Sequence, residues 1–72
     1  MRTEEQVFGE RLRELRMRAA MSQADLAVAS GVHRVMIARF ETGKRHPKWG
    51  TVLALSRALG VSCEAFRSDG PA

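Results

Sequence analysis

Apolar residues recur at helical spacing in several stretches of this 72-residue chain. Phe8, Leu12, Leu15 and Ala19 are four, three and four residues apart, which places them on one face of an α-helix. Across the chain, the pattern predicts helices over about residues 4–19, 23–30, 34–42, 48–59 and 63–67. We therefore expect an all-α fold, a compact bundle of five short helices, forming a single domain over residues 1–72.

Capping residues stand at the predicted starts of the first two helices. Thr3 is followed three residues later by Gln6, and Ser22 is followed by Asp25 at the same spacing. Each pair has the pattern of a capping box, in which two side chains satisfy main-chain N–H groups that have no partner inside the helix. Gly43 follows the third predicted helix and suits its end.

The fourth predicted helix has an apolar stripe of its own. The stripe consists of Trp49, Val52, either Leu55 or Ser56, and Leu59. At helical spacing these positions lie on one side, so we expect all of them to face the core.

The two helices predicted over 23–30 and 34–42 are separated by a very short connection. Leu26 and Ala27 face the core, and Ala27 is small at the point where the two helices must nearly touch. Gly31 can adopt the left-handed conformation that a tight helix end requires, and Val32 can fill the corner behind it. This arrangement is typical of a helix-turn-helix, which places its second helix in the DNA major groove.

The second helix of this motif has two different faces. Ile37, Phe40 and Glu41 share the inner face at about 100° per residue. The outward side presents Val35, Ala38, Arg39 and Thr42, with Arg34 and Met36 on its edges. Basic and small apolar residues on an outward face suit contact with DNA bases, although a solvated arginine at position 39 is the simpler alternative.

Positive charge is concentrated in one segment. Residues 34–48 hold five of the twelve Lys and Arg residues but only one of the eight Asp and Glu residues, while the rest of the chain has seven of each. A localised basic patch is typical of a protein that binds a polyanion. Charge alone is equally compatible with a solvated basic face that has no partner.

Several other classes of protein are not indicated. Cys63 is the single cysteine, so no internal disulfide can form. The chain shows no secretion signal and no apolar run of membrane-span length, and we expect a cytoplasmic protein that does not enter a membrane. His33 and His46 lack partners at metal-ligand spacing, and no catalytic constellation is present. We therefore expect no metal, no cofactor and no enzymatic activity.

The ordered set of residues between positions 22 and 62 resembles the phage-repressor and Cro-type helix-turn-helix family, also called the xenobiotic-response-element type. The shared residues are Ser22-Gln23, Leu26-Ala27, Gly31-Val32, Ile37, Glu41-x-Gly43-Lys44-Arg45-x-Pro47 and Leu59-Gly60-Val61-Ser62. The resemblance implies a lambda-repressor-like bundle of five short helices that binds double-stranded operator DNA as a transcriptional regulator, usually as a homodimer.

The resemblance also implies roles for individual residues. Base contacts fall on Arg34, Val35, Ala38 and Arg39. Phosphate contacts implied by the resemblance fall on Gln23, Lys44, Arg45 and His46. Beyond the resemblance, we also expect phosphate contacts from His33 and Thr42, at the two ends of the third helix. Structural roles fall on Gly31 and on Arg16 with Glu41, which in relatives form an ion pair. Histidine at position 33 departs from the usual Ser or Thr and is a poorer helix cap.

A second function remains open on the sequence alone. Exposed Val35 and Met36 would also suit a protein-interaction module on the same scaffold, such as an antitoxin that binds a partner protein. For a dimer interface, the predicted fifth helix around Cys63, Ala65 and Phe66 is the candidate.

Overall fold

The computed structural model describes residues 1–67. Its elements are α1 (Glu4–Arg18), α2 (Gln23–Ser30), α3 (Arg34–Glu41), α4 (Trp49–Leu59) and a 3-10 helix (Cys63–Phe66). The all-helical prediction is confirmed, since the described part of the chain contains no strand. Residues 68–72, which complete the domain predicted from the sequence, lie outside the described residues.

The predicted fifth α-helix is wrong, because the element at Cys63–Phe66 is a 3-10 helix. Its main-chain bonds span three residues, from Ala65 N to Ser62 O at 2.9 Å and from Arg67 N to Glu64 O at 3.1 Å. Four residues are too few for the repeated four-residue bonds of an α-helix. The fold is therefore a compact arrangement of four α-helices and one 3-10 turn.

Both predicted capping boxes are confirmed. Thr3 Oγ1 accepts from Gln6 N at 3.1 Å, and Thr3 N donates to Gln6 Oε1 at 2.9 Å. Ser22 and Asp25 make the equivalent pair of bonds, both at 2.9 Å. The first two helices therefore begin where local chemistry predicts that they begin.

Within residues 1–67, a core of eight buried apolar side chains joins the helices. They are Phe8, Leu12, Leu15, Leu26, Ile37, Phe40, Leu55 and Phe66. Phe8 meets Phe40 edge to face, with ring centroids 6.1 Å apart, and stacks on Phe66 at 4.9 Å. Phe8 thus links α1 to α3 and to the 3-10 helix in one aromatic cluster.

Two residues predicted for the core are exposed instead. Ala19 caps the C-terminus of α1 with ψ of 1°, so the chain has already left the helix and its apolar stripe. Trp49 is 66% exposed. It is the first residue of α4 and lies about 60° around that helix from Val52, at the margin of the buried side.

Gly9 lies where the backbone of α1 is in close contact with the backbone of α3. A Cβ at this position would overlap the carbonyl oxygen of Phe40 and lie 3.0 Å from the carbonyl carbon of Glu41. Because Gly9 has no side chain, the C-terminal end of α3 packs directly against α1.

None of the helices within residues 1–67 has the length and hydropathy of a membrane span.

Candidate nucleic-acid interface

The turn between α2 and α3 is set by the backbone of one glycine. Gly31 has φ of +77°, and its N–H donates to Ala27 O at 2.9 Å. No atom lies within 4 Å of the position that a Cβ would occupy. Glycine is therefore required here by the left-handed conformation and not by lack of space.

His33 caps the N-terminus of α3. Its Nδ1 accepts a hydrogen bond from Val35 N at 3.1 Å, so a ring nitrogen takes the place of the usual hydroxyl. Because Nδ1 is the acceptor, the proton of the neutral imidazole lies on Nε2. The ring is exposed, which leaves Nε2–H free to donate to an anionic oxygen.

The two faces of α3 are separated as the helical spacing predicts. Ile37 is fully buried and Phe40 is 3% exposed, whereas Val35 on the outward side is 46% exposed. Arg34 and Arg39 are also exposed, and Ala38 between them is half-buried. This outward side, formed by Arg34, Val35, Ala38 and Arg39, is called the α3 outer face below.

Met36 does not belong to the α3 outer face. It is half-buried and packs against the core, so the predicted exposure of Met36 is wrong. Position 36 lies one turn before Phe40, and this spacing turns its flexible side chain towards the buried stripe. Val35 is then the large apolar residue that α3 offers to solvent.

The loop after α3 presents its polar side chains to solvent. Lys44, Arg45, His46 and Lys48 are exposed, while Pro47 among them is buried. Burial of the proline ring fixes the loop to the body of the protein. In the part of the chain that the structure describes, the five cations of segment 34–48 form no ion pair.

Arg16 and Glu41 connect α1 to the last residue of α3. Arg16 Nε and Nη2 donate to the two Glu41 oxygens at 2.7 and 3.0 Å, and Nη1 donates to Met21 O at 2.9 Å. The two side chains are only 13% and 5% exposed. The hydrogen bond to Glu41 raises the pKa of Arg16 despite the opposing effect of burial, so this guanidinium stays charged.

Gln23 joins the same network. Its Nε2 donates to Glu41 Oε1 at 3.2 Å, which holds the amide beside the end of α3 and leaves its second N–H available. Thr42 is exposed, but its hydroxyl lies 3.1 Å from Ala38 O and 3.2 Å from Arg39 O. Thr42 can therefore donate to a phosphate only after its hydroxyl rotates away from these carbonyls.

Arg13 is exposed on α1 and was not among the residues predicted to contact DNA. The structure places it in a cleft with Gln23, Ala38 and Thr42, next to the α3 outer face. Helical spacing shows which residues of α1 avoid the core, but not which neighbouring helix borders them.

No three His, Cys, Asp or Glu side chains within residues 1–67 are grouped as metal ligands.

Comparison with known proteins defines the class. A family model described as a helix-turn-helix domain matches residues 7–67. The match runs from the first turns of α1 to the end of the described residues, and the chain belongs to this helix-turn-helix family.

Named relatives of the chain are regulators. It is 43% identical over 60 residues to the HTH-type transcriptional repressor RghR of Bacillus subtilis, covering 82% of this chain and 44% of that protein. It is 36% identical over 56 residues to the control protein C.BamHI of Bacillus amyloliquefaciens, covering 76% of this chain and 69% of that protein. The chain thus spans less than half the length of RghR.

A solved structure has the same arrangement of helices. The restriction-modification controller protein C.AhdI from Aeromonas hydrophila superposes with a TM-score of 0.84 at 35% identity, covering 86% of this chain and 94% of that chain.

Proposed function

We propose that this chain is a transcriptional regulator that binds double-stranded DNA sequence-specifically, with α3 in the major groove. The observation that supports this most strongly is the α3 outer face. Arg34, Val35 and Arg39 are exposed there. A side of α3 that met only water would be expected to carry polar residues and no large apolar residue such as Val35. The family match and the named regulators point in the same direction.

Four residues make the base contacts in this proposal. Arg34 and Arg39 are each able to donate two hydrogen bonds to guanine O6 and N7, and Val35 suits the methyl group of thymine. Ala38 is small and half-buried, which lets the helix axis approach the floor of the groove. Arg34 and Arg39 are both exposed and make no ion pair with any residue in 1–67, and we assign the main base contact to Arg39.

The phosphate contacts lie on both sides of α3. Gln23 and His33 offer N–H groups near the starts of α2 and α3. Lys44, Arg45 and His46 offer exposed donors in the loop beyond its end, together with Thr42 once its hydroxyl rotates. Contacts of this kind fix the register of a protein on DNA without selecting the sequence.

Three further residues act on DNA binding indirectly. Arg16 and Glu41 hold the C-terminal end of α3 against α1, and Gly31 sets the angle at which α3 leaves the turn. Their role is to position the α3 outer face, which must present its arginines to the base edges within a fraction of an ångström.

We further propose that two copies bind together in the cytoplasm, without a cofactor and without a catalytic step. One short helix contacts too few base pairs to select a site in a genome. Two copies would contact half-sites one DNA turn apart, about 34 Å. The 3-10 helix around Cys63 and Ala65 stays the candidate for the interface between the two copies, while Phe66 itself is 5% exposed and stacks on Phe8 inside the protein.

Selection of bound duplexes from a random pool at two salt concentrations tests the proposal. A regulator should enrich a two-fold symmetric sequence at both concentrations. Its affinity should also fall steeply with salt, because each neutralised phosphate contributes a slope of about 0.9 in a log–log plot. A pool that stays random would contradict the proposal, and salt-independent capture of a protein partner would favour the interaction module instead.

A further inference from the structure

A cleft separates the middle of α1 from the exposed side of α3. It has a volume of about 260 Å³ and is open to solvent. Its lining consists of Arg13, Arg16, Gln23, Ala38, Glu41 and Thr42. Half of this lining, namely Gln23, Ala38 and Thr42, was assigned to DNA contact from the sequence, so the cleft borders the proposed DNA surface.

The charges inside the cleft do not cancel. Arg16 and Glu41 neutralise each other through two hydrogen bonds, and Gln23 donates one more to the same carboxylate. Arg13 is exposed and has no carboxylate within ion-pair distance anywhere in residues 1–67. The cleft therefore carries one uncompensated positive charge, at its open side.

The two edges of α1 have different neighbours. Gly9 and Arg16 lie on the edge that packs against α3, and Arg13 is the next residue round the helix on that side. Arg11 lies on the opposite edge, where its Nε donates to Ala65 O of the 3-10 helix at 3.0 Å. Arg18 follows Arg13 by five residues, about 140° around the helix, and falls on that opposite edge.

We propose that Arg13 is an additional DNA anchor, and that a phosphate of the DNA backbone occupies the mouth of the cleft. The guanidinium of Arg13 supplies the charge, and the second amide N–H of Gln23, which is held by its bond to Glu41, supplies a donor in the same cleft. The inference rests on the proposed function, because it assumes that α3 lies in the major groove. It extends the DNA surface to α1.

Salt titration of affinity isolates this contact. The unmodified chain, Arg13→Gln and Arg18→Gln are compared on one selected duplex, with binding measured from about 0.1 to 1 M salt. The two variants remove the same charge from exposed positions of the same helix. Arg13→Gln should make the slope of log affinity against log salt concentration about 0.9 shallower. Its loss of affinity should therefore be about eight-fold larger at 0.1 M salt than at 1 M salt, whereas Arg18→Gln should match the unmodified chain.

The change in the salt dependence of affinity should follow the charge of residue 13 and not the shape of its side chain. Arg13→Lys should restore most of the slope, and all variants should give the circular dichroism of the unmodified chain. The sequence preference in a random pool should stay the same, because a phosphate contact selects no base.

Two results would overturn the inference separately from the proposed function. If the unmodified chain binds its duplex and Arg13→Gln keeps the full slope, Arg13 touches no phosphate. If Arg13→Gln and Arg18→Gln lose the same slope, the effect is one of net charge and the cleft has no part in it. Failure of the unmodified chain to bind any duplex would instead overturn the proposed function.

Discussion

Gly9 of α1 packs against the carbonyl oxygen of Phe40 in α3, and this oxygen occupies the space that a side chain at position 9 would need. The two main chains are in close contact at this point, and a Cβ would also come within 3.0 Å of the Glu41 carbonyl group. The contact is backbone on both sides, so no rotamer change can relieve an added atom. The position of α3 relative to α1 therefore depends on a hydrogen atom in place of a methyl group.

Gly9→Ala should destabilise the protein by about 1–3 kcal/mol, the range observed for overpacking a filled interior. Urea or thermal unfolding followed by circular dichroism measures the change. Gly50→Ala is the matched control, because Gly50 lies in α4 with no atom within 4 Å of the added Cβ. There alanine should be neutral or stabilise by up to about 1 kcal/mol, since it favours helix more than glycine does. Equal effects at the two positions would contradict the close approach.

Arg16→Met should destabilise the fold by about 3–5 kcal/mol, because it leaves the Glu41 carboxylate almost buried without its partner. The same unfolding measurement checks this. The double variant Arg16→Met with Glu41→Leu should regain much of the loss, since two apolar side chains replace the pair without an unpaired charge. An unchanged melting temperature in Arg16→Met would show that the pair does not hold α3.

Asp25 gives the stability of α2 a dependence on pH. The Ser22 main-chain N–H and hydroxyl both lower the pKa of this carboxyl, because they stabilise its charged form at the N-terminus of α2. In the unfolded chain the pKa of the Asp25 carboxyl returns to its ordinary value of about 3.9. The carboxylate therefore contributes fully to the free energy of unfolding above that pH, and its contribution is lost as the pH falls through the lowered pKa of the folded state. The difference in unfolding free energy between the unmodified chain and Asp25→Asn should shrink below about pH 4. A difference that stays constant down to about pH 2 would contradict this.

Features governed by neighbouring residues were predictable from the sequence. The capping boxes at Thr3 and Ser22 depend on side chains three residues away, and the helices begin at Glu4 and Gln23 as expected. Helical spacing likewise placed Ile37 and Phe40 inside and Arg39 outside.

Features governed by the packing of distant elements were not predictable in the same way. Trp49 has the right spacing for the core but stands at the start of α4, where it is exposed. Arg13 resembles Arg18 in sequence, and only the crossing of α1 and α3 places one of them beside Gln23. The 3-10 helix at Cys63–Phe66 has the capping serine of an α-helix but too few residues to form one.

The most direct test of the account is whether Arg39 on the α3 outer face determines base preference. Duplexes are selected from a random pool by the unmodified chain, by Arg39→Ala and by Arg45→Ala. Arg39→Ala should relax the preference at one position of each half-site by about 1–3 kcal/mol, while Arg45→Ala should weaken all sequences alike and keep the preference intact. If both variants select the same sequence as the unmodified chain, the α3 outer face does not contact the bases and the account is wrong.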